Sequence, residues 1–480
     1  MDAAQTNHLR AYGVVYRELA KGVNASWLLN YRGGSFAMDY SYAAWAACRS
    51  SGVAAAEISD ATWADIVKRI KAPGNNGAVI KLDRPPRIAV YTPSGKMPWD
   101  DAVTLALTYA GIPFTKVYAD EVLAGALSQY EWLHLHHEDF TGRYGKFWMS
   151  FHDAEWYKRD VARMEALAAK HGFAKVSQMQ LAIARRVTAF LDEGGNLFAM
   201  CSATETLDIA LAAAGLDICA APYDGDGEDE DVQKKLHYGH CLAFRNFTVS
   251  TAPFEYGHSD IDNVNARIGK LRTDDSFTLR RFQARTEPVL SMLCQNHVQR
   301  IAGFMGQTTA FRREVLRPGV TVLGERRDIN EARYIHGTYG RGVWTFYGGH
   351  DPEDYQHMVN DPPTDLSLHP HSPGYRLILN NVLCMASEHA PVKAQQPATE
   401  SRPFVKIAPG ASGSELMISA AEGAGTVKIT EVTFHNAAGK VVQRSPFQGG
   451  KSVSVDMSLI PAGTYTVYVN GRYAGMVRRD

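Results

Sequence analysis

"NLFAMCSATETLDIALAAAG", residues 196–215, decides the fold: an apolar strand runs straight into a helix at Cys201. The stretches before it repeat that alternation. "RIAVYTP" (87–93) reads as a short buried strand, rich in β-branched and aromatic residues and closed by Pro93. "PWDDAVTLALTYAG" (98–111) has helical apolar spacing, with Asp at its start and Gly111 at its end. "FTKVYA" (114–119) and "YEWLHLHH" (130–137) are further strands, and "QMQLAIARRVTAFLDEGG" (178–195) is an amphipathic helix stopped by a Gly pair. Strands alternating with helices predict an α/β fold, with a parallel sheet covered on both faces. The domain so predicted spans 85–392 and ends in the helix "PGYRLILNNVLCMASE" (373–388).

Working outward, residues 1–84 read as a small N-terminal α/β unit. It holds the helix "LRAYGVVYRELAKG", the strand "ASWLLNY", the turn "RGGS", and the helices "YSYAAWAACRSSG" and "ATWADIVKRIKAPG". The unit opens on a helix, so either its sheet begins with "ASWLLNY" or Met1 is an internal methionine of a longer reading frame. Residues 393–403, within "PVKAQQPATESRP", have the aperiodic Pro, Ser and Ala composition of a linker. Residues 404–480 alternate apolar and polar residues between Gly and Asn turns, as in "TVKITEVTFHNAAGKVVQ", "KSVSVDMS" and "GTYTVYVNGRYAGMVRR". That pattern predicts a C-terminal antiparallel β-sandwich.

Composition excludes several function classes. The 50 Lys and Arg nearly balance 51 Asp and Glu, and no long basic stripe occurs, so nucleic acid is not an expected partner. No run of about 18 apolar residues is present, and the first residues lack the basic and apolar regions of a signal peptide. The six cysteines are scattered without a CxxC, which argues against a zinc cage and a disulfide framework.

Ligands in α/β sheets sit at the carboxyl ends of the strands, which singles out Cys201. A thiol there faces the N-terminal amides of the following helix, which predicts a lowered pKa and a nucleophilic thiolate. The plain alternative is a buried cysteine. "RGVWTFYGGHDPED" (341–354) is a second apolar strand, and His350 stands at its carboxyl end, on the same sheet edge as Cys201. Followed by Pro352 and Glu353, it reads either as an exposed turn or as a base oriented by a carboxylate. In "WLHLHHEDFTG" (132–142), His134 and His136 share one face of a strand with Glu138 nearby, a weak candidate metal set. No other cofactor is expected. "YDGDGEDEDVQKK" (223–235) is oxygen-rich but lacks the spacing of a calcium loop, and reads as a solvated acidic loop. "NYRGGSF" (30–36) offers Arg32 and a Gly turn, either an anion site or a plain turn.

Cys201 and His350 together resemble the class I glutamine amidotransferase-like superfamily, most closely its ThuA-like branch, over residues 85–392. The resemblance implies a flavodoxin-like fold, with Cys201 as nucleophile, His350 as base and Glu353 as orienting acid. It further implies an oxyanion-binding loop near His136, His137 and Glu138, with Ser202 lining the site. The elbow here is Ala199-Met200-Cys201-Ser202-Ala203 rather than Gly-x-Cys-x-Gly, and Asp351 is inserted between His350 and Pro352. "QTNHLRAYG", "WLLNYRGGSF" and "WLHLHHEDFTGRYGKF" look like Bacteroidetes proteins often labelled asparagine synthetase B. No catalytic Cys follows Met1 and no SGGxDS-type loop occurs, so asparagine synthesis is not expected. "NAAGKVV" and "SLIPAGTYTVYV" are similar to type IX secretion sorting domains, which implies secretion machinery as a partner and a secreted or cell-surface location. The leading expectation is a cysteine hydrolase of an amide or related acyl bond on a small-molecule, peptide or glycan substrate. The alternatives are a non-catalytic carbohydrate-binding ThuA-like protein, given eight Trp and 22 Tyr for stacking, and a metal-dependent hydrolase.

Overall fold

The computed structural model describes residues 1–93, 101–262, 276–304, 306–354, 361–391, 405–410, 414–420, 428–436, 441–470 and 472–479. Strands β1 (Ala25–Leu29), β2 (Ser35–Met38) and β3 (Ala78–Leu82) make a small antiparallel sheet ordered β2-β1-β3. The central sheet is built from β4 (Ile88–Tyr91), β5 (Thr115–Val117), β6 (Trp132–Leu135), β7 (Asn196–Met200) and β8 (Ser276–Leu279). It continues with β9 (Arg300–Ala302), β10 (Phe311–Arg312), β11 (Thr321–Arg326), β12 (Glu331–Tyr339) and β13 (Gly342–Tyr347). Its order is β5-β4-β6-β7-β13-β12-β11-β8-β9, with β10 beside β12.

The predicted parallel sheet is present from β5 through β13. Beyond β13 every pairing is antiparallel, so the sheet is mixed. The reversal has a local cause: β12 and β13 are joined through residues 340–341, and a connection that short permits only an antiparallel pair.

All five side chains of β7 are buried, and they divide between two cores as a period of two requires. Leu197 and Ala199 join Leu133, Leu135, Ile183 and Leu207 on one face. Phe198 and Met200 join Val90, Leu107, Tyr334 and Ile378 on the other. The first face is covered by the helices Val176–Asp192 and Ala203–Ala212, the second by His8–Ala20, Ala102–Ala110 and Pro373–Leu383. Capping follows the sequence signals: Asp101 accepts from Thr104 N at 2.7 Å, and Gly111 closes that helix at φ 70°.

The N-terminal residues share the second core, since Leu9, Tyr12 and Trp27 pack in one cluster with Phe198 and Ile378. Tyr12, Arg376 and Asn380 tie the first and last helices of this assembly together, Arg376 Nε donating to Tyr12 Oη at 3.0 Å.

Residues from β14 (Val405–Pro409) onward have a core of their own. β14 pairs with β15 (Glu415–Ala420), which pairs with β18 (Ser452–Asp456). The second sheet, ordered β17-β16-β19-β20, comprises β16 (Ile429–His435), β17 (Val441–Gly450), β19 (Gly463–Val469) and β20 (Arg472–Arg479). Both sheets are antiparallel and bury Ile418, Val455, Val432 and Phe434 in one cluster, the sandwich expected from the alternation. The expected linker at 393–403 lies outside the described residues. No helix among the described residues is long and apolar enough to cross a membrane.

Candidate active site

Four parallel strands deliver the candidate groups to one edge. In the register of the sheet Leu135 faces Ala199 and Met200 faces Tyr347, so His136, Cys201 and Gly348 each stand one residue past a paired strand end. Asp101 comes from beyond β4, at the start of its helix. The edge holds together through the backbone. Cys201 N–H donates to Gly349 O at 3.0 Å, Ala203 N–H to His136 O at 3.0 Å, and Gly349 N–H to Thr308 O at 2.8 Å. Gly349 takes φ 107°, and a Cβ there would meet Phe304 Cδ2 at 2.2 Å, so only glycine fits.

Cys201 is buried in a left-handed conformation, φ 49°, immediately before the helix Ala203–Ala212. Its helix starts at once: Thr204 N–H and Oγ1 donate to Cys201 O at 3.2 and 2.6 Å. Burial raises the thiol pKa, while the backbone amides of Gln307, Ser202 and Thr308 act on the sulfur in the opposite direction. The expected lowering is therefore corrected: the amides are present, but loss of solvent outweighs them. Ser202 is buried beside it and adds its own side-chain contact to the sulfur.

Three histidine rings cluster at this edge, two of them with donor atoms close to the thiol. Ring centroids of His136 and His137 are 4.0 Å apart, and His350 stands 4.8 Å from His136 and 4.7 Å from His137. His136, His137 and Cys201 each present a donor atom within 4.8 Å of the others. His136 is fully buried, and burial depresses its pKa in spite of the nearby Asp101. His350 is also buried, whereas His137 is part-exposed.

Asp351 and Glu353 follow His350 in the chain. Glu353 Oε2 stands 3.3 Å from His369 Nδ1. Asp351, the residue inserted ahead of Pro352, is fully buried, accepts from Tyr375 Oη at 2.6 Å and from Thr364 Oγ1 at 2.9 Å, and acts electrostatically on His136. Glu138 accepts from His136 N at 2.7 Å, and burial pushes its carboxyl up to about 8. That bond occupies the His136 amide. Among the described residues, Asp101, His134 and His136 bring their donor atoms within 4.8 Å of one another. His134 Nε2 lies 3.1 Å from Asp101 Oδ2, and His136 Nδ1 lies 3.5 Å from the same oxygen.

Other groups at the site were not legible as such. Residues 139–146 form a buried polar loop with left-handed backbone at Gly142, Tyr144, Gly145 and Lys146. Asp139 accepts from Gly145 N at 2.7 Å, and Lys146 Nζ donates to Gly257 O at 3.1 Å and Ser250 O at 3.2 Å. Burial lowers Lys146 to about 8, and burial also holds His258 at about 3 against the field of Asp139. Glu205, one turn into the helix after Cys201, accepts from Ser259 Oγ at 2.8 Å, and burial raises it to about 8. A Gly-rich, charged run between two apolar elements, "DFTGRYGK", was the available signal.

The two remaining sequence candidates are internally satisfied. Asp224 and Asp226 of the acidic loop, together with Asp217, surround Lys175 Nζ, which balances part of the loop's charge. Arg32 Nε donates to Asp2 Oδ2 at 2.7 Å, so its charge is paired within the chain.

No family model and no curated protein matches the chain. Among solved structures, it is similar to the cytoplasmic protein STM3548 from Salmonella typhimurium, at 9% identity and TM-score 0.30, over 63% of this chain and 99% of that one. The cytoplasmic protein STM1381 from Salmonella typhimurium LT2 gives 10% identity and TM-score 0.30 over the same shares. Gan42B, a GH42 beta-galactosidase, gives 11% identity and TM-score 0.26, over 83% of this chain and 41% of that one.

Proposed function

We propose that this protein is a cysteine-dependent hydrolase of an amide or related acyl bond, built on an amidotransferase-like scaffold. The observation that carries the reading is the elbow at Cys201: a buried thiol at φ 49°, met by three backbone amides and set beside His136 and His137, whose rings His350 borders. A thiol raised by burial is protonated at rest. The proton therefore leaves sulfur only as the bond to substrate forms, as in hydroxyl nucleophiles activated by a base. In this mechanism Cys201 Sγ attacks the carbonyl carbon while the His137–His350 pair takes its proton. Charge on the carbonyl oxygen is met by amides of the Ser202 and Gln307–Thr308 backbone. Collapse of the adduct expels the amine, which recovers the proton, and water then cleaves the thioester. The C-terminal sandwich, similar to secretion sorting domains, makes an external peptide or glycan-linked amide the fitting substrate class.

The test is acylation by an activated p-nitrophenyl ester, followed by peptide mapping. A thioester on Cys201 is expected in the wild type, absent in Cys201→Ala, and formed roughly 10²–10⁴-fold more slowly in His350→Ala or His137→Ala. Equal labelling of wild type and Cys201→Ala would sink the reading.

A further inference from the structure

The nucleophile's surroundings are also those of a metal site. His136 offers no solvent-exposed surface, its Nδ1 faces Asp101 Oδ2 at 3.5 Å, and its Nε2 has no hydrogen-bond partner among the described residues. Asp101 is itself held by Thr104 N at 2.7 Å and lies 3.1 Å from His134 Nε2, while His134 Nδ1 lies 3.0 Å from Phe198 O. A carboxylate behind one nitrogen of a buried imidazole is the arrangement that orients histidine ligands toward metals. His137 and Cys201 supply two further donors within 4.8 Å. Two imidazoles and a thiolate suit a thiophilic, tetrahedral cation such as Zn²⁺ and not Ca²⁺ or Mg²⁺, which take oxygen.

We propose that His136, His137 and Cys201 bind a thiophilic divalent cation and that its binding switches the nucleophile off; the second half rests on the hydrolase reading above. Bonds of about 2.0–2.3 Å require the three donors to draw in to roughly 3.5 Å, which the part-exposed His137 can accomplish by rotating its side chain. Binding forms the metal–sulfur bond and releases the Cys201 thiol proton to solvent. With three protein ligands the fourth position is left to water or to His350, whose ring borders both histidines.

The experiment uses the untagged full chain stripped with chelator, Zn²⁺ alone as the probe, and a chromophoric chelator as competitor. One equivalent is expected to bind, at least tenfold more weakly in both Cys201→Ser and His137→Gln, and to protect Cys201 from iodoacetamide. Absence of binding, or equal affinity in wild type and both variants, overturns the site. The ester assay separates the two halves. Zinc-loaded protein acylating as fast as stripped protein overturns the switch, whereas stripped protein that never acylates refutes the hydrolase and leaves the site standing.

Discussion

Cys201 holds a backbone conformation that costs an L-residue on the order of 1–3 kcal/mol, and glycine nothing. Both Cys201→Gly and Cys201→Ala remove the thiol, so their difference isolates the strain. Chemical denaturation is expected to find the Gly variant more stable than the Ala variant, by about 1 kcal/mol after the larger unfolded-state entropy of glycine is allowed for. Glu205 gives a pH signature at the same scale. Its folded pKa, raised to about 8 by burial, exceeds its ordinary value of 4.5, so between those values the folded chain keeps a proton that the unfolded chain has released. Its contribution therefore declines as pH rises through that window, by at most about 1.4 kcal/mol per unit. Unfolding free energies of Glu205→Gln measured from pH 5 to 8 should show a correspondingly flatter decline than the wild type.

At the scale of elements, the site is a property of strand ends and the turns that follow them. Gly349 links the β13 end to Cys201 through its carbonyl, and its φ of 107° admits no side chain. Gly349→Ala is expected to lose about 1–3 kcal/mol on denaturation and to slow acylation of Cys201 as well, because the displaced peptide no longer holds the elbow. β7 itself supports both cores. Phe198 lies in the second core with no exposed surface, so Phe198→Ala should lower stability by about 3–5 kcal/mol in the same measurement. The alternation of short apolar strands and amphipathic helices made the parallel half of the sheet legible. β8 through β12 were not, because their antiparallel pairings lack the strand–helix alternation that announces a parallel sheet, and β9 and β10 are only three and two residues long.

For the whole molecule, among the described residues, the two cores flanking the central sheet contain none beyond 390, and the sandwich core contains none before 405. A chain truncated after residue 391 is therefore expected to keep the main calorimetric transition and to lose that of the sandwich. The same accounting merges residues 1–82 with the central sheet, since Leu9, Trp27 and Leu82 are buried in its second core; a composition change marks a linker, but nothing in local composition marks a shared interior. What the sequence by itself determined was each strand, helix and cap whose signal lies within one stretch, including the strand-to-helix elbow at Cys201 and the strand end at His350. What only the tertiary structure decided was the company they keep. Asp101 behind His136, the amides of Gln307 and Thr308 at the sulfur, and Tyr375 on the buried Asp351 all join segments apart in the chain. The pKa direction at Cys201 was decided there too, because a local pattern encodes the helix amides that favour a thiolate, while the loss of solvent that overrides them depends on everything packed around it.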